Sequence, residues 1–253
     1  MSDIPVPVVP AVSEGPALTQ VQRVIYTFTA PSKTFNDIKR STSWWLPFVL
    51  SIVFSYAFFF TVQAKVGWEQ VAENSIRQNP KQAEQMDKLP ADQRANQMKI
   101  TVIVTKVIFA VIPIFALIAT AVIAGVLLAT INFGFGGKAT FWETFAVSWY
   151  AGLPGLIKVV LGIAALLAGL APESFNTRNF SGTNIGYYLP PETSKPLLAL
   201  ATSLDIVTIW TLVLSSIGLS IVAGTKRNSG YIAVFGWWIL IVLLGAGWAA
   251  AFS

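Results

Sequence analysis

Hydrophobic residues fill five long segments of this 253-residue chain, at about 44–66, 101–132, 141–169, 197–223 and 230–251. A helix needs about 20 mostly apolar residues to cross the hydrocarbon core of a bilayer. Each segment meets that length, and the third contains the interruption Gly-Leu-Pro-Gly at 152–155. The pattern therefore predicts an all-α integral membrane protein in which residues 43–253 form a bundle of five transmembrane helices.

Two shorter patterns precede the spans. Residues 1–17 contain four prolines and no periodic apolar positions, which predicts a disordered tail. Apolar residues then recur at helical spacing, with Arg23 and Thr27 on other faces, at Leu18, Val21, Ile25 and Phe28. Beyond Pro31, Phe35 and Ile38 share one face of a second short helix. Residues 18–42 are therefore predicted to form amphipathic helices that lie in the membrane interface, pack on the bundle, or do both.

The longest polar segment, residues 67–100, separates the first two spans and is rich in residues that favour helix. Pro80 and Pro90 are its main interruptions. We therefore predict that residues 67–78 and 91–100 are helical and continuous with spans one and two. The loop at 170–196 is rich in Asn, Gly, Ser and Pro and lacks a helical period, so it is predicted to be irregular.

Aromatic and basic residues mark the start of the first span. Trp44 and Trp45 are predicted to lie at the interface, where the indole ring is favoured. Lys39 and Arg40 come shortly before them, and basic residues beside a first span favour the cytoplasmic side. The N-terminus is therefore predicted to be cytoplasmic, and five spans would place the C-terminus on the opposite side.

Composition excludes several kinds of chemistry. The chain is 54% hydrophobic and 11% charged, against about 25% charged in soluble domains, and it contains neither Cys nor His. Disulfides, thiolate or histidine metal sites and Ser-His-Asp triads are thus excluded. Residues 132–139 do not form a P-loop, whose pattern is G-x-x-x-x-G-K-[ST]. Asn132 replaces the first glycine, and Ala139 replaces the final serine or threonine. We predict no enzyme activity and no cofactor, and because the basic residues are dispersed, no nucleic-acid partner.

Two ionisable residues lie inside the predicted spans three and four. Counted from the loop that joins these spans, Lys158 is about 18 Å deep and Asp205 about 14 Å deep, at 1.5 Å per residue. Asp205 shares a helical face with Thr202, Thr208 and Ser216. Because an unpaired charge within a membrane is costly, we predict that Asp205 meets Lys158 within hydrogen-bonding reach. The pair can be a structural contact between spans, the interpretation we favour, or a proton or ion site.

Four stretches, taken in order, resemble a known family. They are "FTAPSKTFNDI" at 28–38, "SWWLPF" at 43–48, "GGKATFWETFAVSWYAGLPGLI" at 136–157 and "LDIVTIWTLVLSSIGLSIVAGTKRNSGY" at 204–231. They are similar to the Yip-domain family of five-pass membrane proteins, named for interacting with Ypt/Rab GTPases. The resemblance implies a five-helix bundle, a cytoplasmic N-terminus and no known enzymatic activity.

The short tail and the long helical first loop resemble the bacterial branch of that family, in which Rab partners do not exist. The resemblance therefore implies a bacterial cytoplasmic membrane, and it does not carry Rab-type GTPase binding over to this chain. Two functions follow as hypotheses. One is a non-enzymatic scaffold, adaptor or membrane-organising protein that contacts the lipid bilayer and binds other membrane proteins or itself. The alternative is a small transporter, channel or lipid-handling protein that uses the polar residues around Asp205.

Overall fold

Helices form all the named regular structure in residues 16–190 and 192–251, the part of the chain that the computed structural model describes. Within these residues, five helical segments are long and apolar enough to cross a membrane: Trp45–Lys65, Ala91–Gly134, Phe141–Leu167, Ile206–Ala223 and Arg227–Ala251. The prediction of an all-α, five-span membrane protein is therefore confirmed. Most of the predicted disordered tail lies outside the described residues.

Two short helices, α1 (Gln20–Thr29) and α2 (Pro31–Ile38), precede the first span. Thr19 and Gln22 form a reciprocal capping box that begins α1, and Pro31 occupies the first position of α2, where its missing N–H has no cost. Phe35 and Ile38 on α2 are completely buried in the main hydrophobic core. The α2 helix is therefore part of the bundle.

The α1 helix buries its polar face and exposes its apolar face, the opposite of a surface helix in a soluble protein. Its polar residues Arg23 and Thr27 are buried, whereas its apolar residues Val21, Ile25 and Phe28 are exposed. An outward apolar stripe is the arrangement expected of a helix that contacts lipid. The α1 helix therefore packs on the bundle through its polar face. Its apolar face points outward, as a helix in the membrane interface requires.

The first span, α3 (Trp45–Lys65), is followed by α4 (Trp68–Arg77), α5 (Pro80–Asp87) and the long α6 (Ala91–Ala129). Residues 91–100 continue into span two, but the predicted continuity of residues 67–78 with span one is wrong. The chain turns at Gly67, whose φ of 82° is the left-handed conformation that favours glycine.

The turn at Gly67 folds α4 back onto the rest of the protein. The Asn74 side chain donates hydrogen bonds to the carbonyls of Pro172 and Phe175, at 2.7 and 3.0 Å. Trp68 and Val71 join a second core cluster with Phe58, Phe59, Val62, Leu166 and Phe175. Residues 68–99, which we call the arm, are therefore anchored at the α4 end to the loop after span three.

Span two ends in a π-helical turn at Thr130–Gly134, and span three consists of α7 (Phe141–Ala151) and α8 (Gly155–Leu167). The Asn132 side chain closes the connection by accepting from the Ala139 N–H at 3.1 Å and donating to the Ala139 carbonyl at 2.9 Å. The break between α7 and α8 coincides with the Gly-Leu-Pro-Gly sequence.

The chain ends with α9 (Lys195–Ser203), α10 (Ile206–Ala223) and α11 (Arg227–Ala251). The predicted continuous span at 197–223 is wrong, because the helix stops at Leu204 and restarts at Ile206 with Asp205 as its N-cap. The 18 residues of α10 cover about 27 Å, close to the whole hydrocarbon thickness of about 30 Å. Asp205 therefore lies at the loop end of span four and not 14 Å inside it.

Candidate functional site

Asp205 is the N-cap residue of α10. Side chains with an acceptor oxygen are favoured at this position, because the first backbone N–H groups of a helix have no partner within it. Its Oδ1 accepts from the Thr208 N–H at 2.8 Å. Its Oδ2 accepts from the Thr183 hydroxyl at 2.6 Å and lies 3.0 Å from Lys158 Nζ. The carboxylate is almost fully buried, and each of its oxygens has a donor.

Lys158 projects from α8 toward the same point. Besides meeting Asp205, its ammonium donates to the Thr208 hydroxyl at 2.9 Å. Its side chain is 28% exposed, against 4% for that of Asp205. The predicted contact between spans three and four is therefore present, with Thr208 as a shared partner.

The loop after span three supplies a partner that the sequence did not reveal. Thr183 contacts Asp205 through its side chain, and its carbonyl accepts from the Ile206 N–H at 3.2 Å. Next to it, Asn184 exchanges side-chain hydrogen bonds with Asn179 at 3.2 and 2.7 Å and forms an isolated bridge with Asp205. Asp205 therefore joins three segments: span three, span four and the loop between them.

Two of the residues predicted to share the Asp205 face lie elsewhere. Thr202 precedes the helix break and lies against Gly186, where a Cβ would come 2.3 Å from the Thr202 hydroxyl. Ser216 is fully buried further along α10 and donates to the Leu212 carbonyl at 2.8 Å. The continuous polar stripe is therefore absent among these residues, because the break at Leu204 changes the helical phase.

Ser216 marks a close crossing between α10 and α11. We expect Gly230→Ala to lower the free energy of unfolding by about 1–3 kcal/mol, because a Cβ there would lie 2.2 Å from the Ser216 carbonyl oxygen. Gly236→Ala in the same helix is the matched control, since a Cβ there meets nothing within 4 Å. The control should be neutral or gain up to about 1 kcal/mol. Unfolding by SDS titration in bicelles compares the two, and equal effects would contradict a tight crossing.

A second buried ion pair was not anticipated. Arg23 Nε donates to Asp37 Oδ2 at 2.7 Å, and the two side chains are 2% and 6% exposed. The same guanidinium donates to the carbonyls of Ser41 and Ser43, at 2.8 and 3.3 Å. The pair fixes α1 to α2 and both to the start of span one. Its only sequence signal is the position of Asp37 between the inward-facing Phe35 and Ile38.

The residues predicted to lie at the interface have different environments. Trp45 is exposed, whereas Trp44 is partly buried in an aromatic cluster, with ring centroids 5.0 Å from Phe145 and 6.2 Å from Trp149. Lys39 and Arg40 are both exposed at the end of α2. Trp44 therefore contributes to packing between helices, while the other three side chains remain accessible.

Two cavities of the bundle and the arm lie away from the Asp205 network. One of about 190 Å³ lies beside the break in span three, against Ser51, Thr120 and Ser148. The other, of about 680 Å³, is an open cleft in the arm. Among the described residues, no group of three or more Asp and Glu side chains could hold a metal ion. The Asp205 carboxylate is thus buried among internal contacts, whereas its partner Lys158 remains 28% exposed.

Comparison with known proteins gives one match. A family model described as the Yip1 domain matches residues 25–249, nearly the whole chain. No curated protein matches, and no solved structure matches.

Proposed function

Because residues 25–249 make this chain a member of the Yip1 domain family of multi-pass membrane proteins, we propose that it is a non-enzymatic membrane scaffold or adaptor. In this proposal the transmembrane bundle is a support, and the extramembrane segments bind other membrane proteins or a second copy of the chain. Rab-type GTPase binding is not part of the proposal. The N-terminus is proposed to be cytoplasmic, in a bacterial cytoplasmic membrane.

The observation that carries the proposal is the full engagement of the buried Asp205 carboxylate by internal partners. A transport or catalytic carboxylate must be able to exchange its partners for a substrate, ion or proton. Here the carboxylate is held by Thr183, Thr208 and Lys158 and joins three segments of the fold. These contacts support a structural role for the residues that the sequence singles out as functional candidates.

The arm supplies an accessible surface for binding. Between Ala91 and Lys99, every residue except Met98 is exposed. Arg94 donates to the carbonyls of Met86 and Asp87, at 3.0 and 2.9 Å, which ties α6 to α5. Since α4 is fixed by Asn74, the arm presents its polar surface in a defined position. A surface that is both exposed and held in place suits partner recognition.

One observation favours transport as a second candidate. The Lys158 side chain is 28% exposed although its partner Asp205 is buried, so the ion pair is not sealed on the lysine side. A solute, ion or lipid reaching Lys158 could compete for its ammonium. This function would require the contact between Lys158 and Asp205 to open.

Site-specific crosslinking in native membranes tests the scaffold. A photoreactive residue at Gln93, exposed on the arm, is expected to capture defined protein partners. The same residue at Ile241, exposed on the apolar surface of α11, is the control and should capture mainly lipid. Ion, solute or lipid flux by the purified protein in liposomes, abolished by Asp205→Asn in a folded variant, would instead establish transport.

A further inference from the structure

Charge is distributed unequally between the two ends of the bundle. In the described chain, the end formed by α1, α2 and the connections after spans two and four carries seven basic and two acidic residues, a net charge of +5. The opposite end, formed by Lys65 at the end of span one, the arm and the loop after span three through Lys195, carries eight basic and seven acidic residues, a net charge of +1. Within the described residues, the positive charge is thus concentrated at one end.

Contacts bring the segments of the positive end together. The Arg227 guanidinium donates to the Ser32 hydroxyl at 3.3 Å, which joins the start of α11 to the start of α2. The Lys138 N–H donates to the Ala223 carbonyl at 3.0 Å, which joins the connection after span two to the end of α10. The basic residues Lys33, Lys138, Lys226 and Arg227, all exposed, therefore belong to one surface.

The two carboxylates at this end are already engaged. Asp37 is buried against Arg23. The Glu143 carboxylate accepts from both the N–H and the hydroxyl of Thr140, each at 2.8 Å, as part of the cap of α7. Within the described residues, neither of these two carboxylates is therefore free to neutralise the four exposed basic residues of this surface, Lys33, Lys138, Lys226 and Arg227.

An apolar stripe accompanies the basic surface. The α1 residues Val21, Ile25 and Phe28 are exposed, and Phe28 also meets the Trp210 ring edge-on at 5.6 Å. Lys33 of α2 lies against the same helix, with its ammonium 5.1 Å from the centre of the Tyr26 ring. Basic residues beside an exposed apolar helix face are the combination that binds the surface of an anionic bilayer.

We propose that α1, α2 and the connections at 136–140 and 224–227 bind the anionic headgroups of the surrounding leaflet. The positive charges complement the lipid phosphates, and the α1 stripe enters the boundary between headgroups and acyl chains. An acidic protein segment would match the charges but would leave the apolar stripe uncovered. This inference deepens the proposed function by naming the lipids that the scaffold contacts and rests on it, although its experiment does not depend on partner binding by the arm.

The chain lacks cysteine, so a single fluorophore can be attached through Ile25→Cys on α1. Phosphatidylglycerol titrated into micelles of the labelled full chain is expected to change the fluorescence saturably, while phosphatidylcholine is not. Combining Lys33→Gln, Lys226→Gln and Arg227→Gln should weaken apparent affinity about a hundredfold, since each charge near an anionic surface contributes about fivefold. Raising the salt concentration should weaken binding to the unmutated surface.

The matched control combines Lys65→Gln, Lys99→Gln and Arg178→Gln, three exposed residues at the opposite end with the same total charge change. It should alter affinity by less than about twofold, since these charges lie more than a Debye length away. Equal binding of both lipids, or equal losses in the two triple variants, would overturn the proposal. Preferential binding of a polyglutamate peptide would assign the surface to an acidic protein. Failure of crosslinking from the arm would leave the lipid result intact.

Discussion

The Asp37→Asn variant is expected to lose about 3–5 kcal/mol of unfolding free energy, the cost of removing one partner from a buried ion pair. The substitution is nearly isosteric but leaves the Arg23 guanidinium charged and almost fully buried, at 2% exposure. Carbonyls of Ser41 and Ser43 still accept from it, but neither carries a compensating charge. SDS titration in bicelles, monitored by circular dichroism, measures the loss.

The exposed pair Glu84–Lys88 is the matched control for this prediction. Its atoms are 2.6 Å apart, closer than those of the buried pair, but the side chains are 67% and 71% exposed. Glu84→Gln should therefore change stability by no more than about 0.5 kcal/mol, as surface pairs do. If Asp37→Asn has an equally small effect, the Arg23–Asp37 contact does not hold the N-terminal hairpin to the bundle.

Asp205→Asn is expected to lower the free energy of unfolding by about 3 kcal/mol. This value is at the lower end of the range for breaking a buried ion pair, because the Lys158 side chain is 28% exposed and water can partly solvate its charge. An asparagine can still accept from the Thr208 N–H and cap α10. It has no negative charge to pair with Lys158. Its NH2 group takes the place of the carboxylate oxygen that accepts from the Thr183 hydroxyl, so that hydrogen bond is lost in its present direction. The loss therefore reports mainly the charge left without a partner.

A double-mutant cycle separates this pair from its surroundings. Adding Lys158→Met to Asp205→Asn should restore at least about 1 kcal/mol, because the unpaired ammonium is removed. Thr183→Val is a useful comparison, since it deletes one hydrogen bond to Asp205 without changing any charge, and about 1 kcal/mol is expected. Purely additive losses from Lys158 and Asp205 would show that the two residues do not act as a pair.

The spans were predictable because hydropathy is averaged over about 20 residues, a length that local irregularities do not erase. The contact between Lys158 and Asp205 was predicted because two opposite charges next to the same loop need partners, although the depth counted for Asp205 was wrong. The break before Asp205 was not predictable. The residues around it are apolar enough for a continuous helix, and the break depends on Thr183, a hydrogen-bond partner 22 residues earlier in the chain.

The same limit explains the other differences. The turn at Gly67 depends on α4 folding back to meet the loop carbonyls, which no local pattern indicates. The sequence showed that α1 is amphipathic, but it did not show which face is buried. The polar face can be buried only because Asp37 of α2 pairs with Arg23. Local periodicity thus located the helices, and contacts between distant segments decided where they stop and which face they bury.

We propose that the ionisable residues between the spans hold the fold together, while the extramembrane surfaces carry the function. The most direct test is crosslinking from position 93 in a folded chain that carries both Lys158→Met and Asp205→Asn. This double variant should capture the same partners, in the same yield, as the chain with the intact pair. Loss of those partners from a double variant that keeps its helix content and stays folded at the assay temperature would show this to be wrong and would place the function at the Lys158–Asp205 pair.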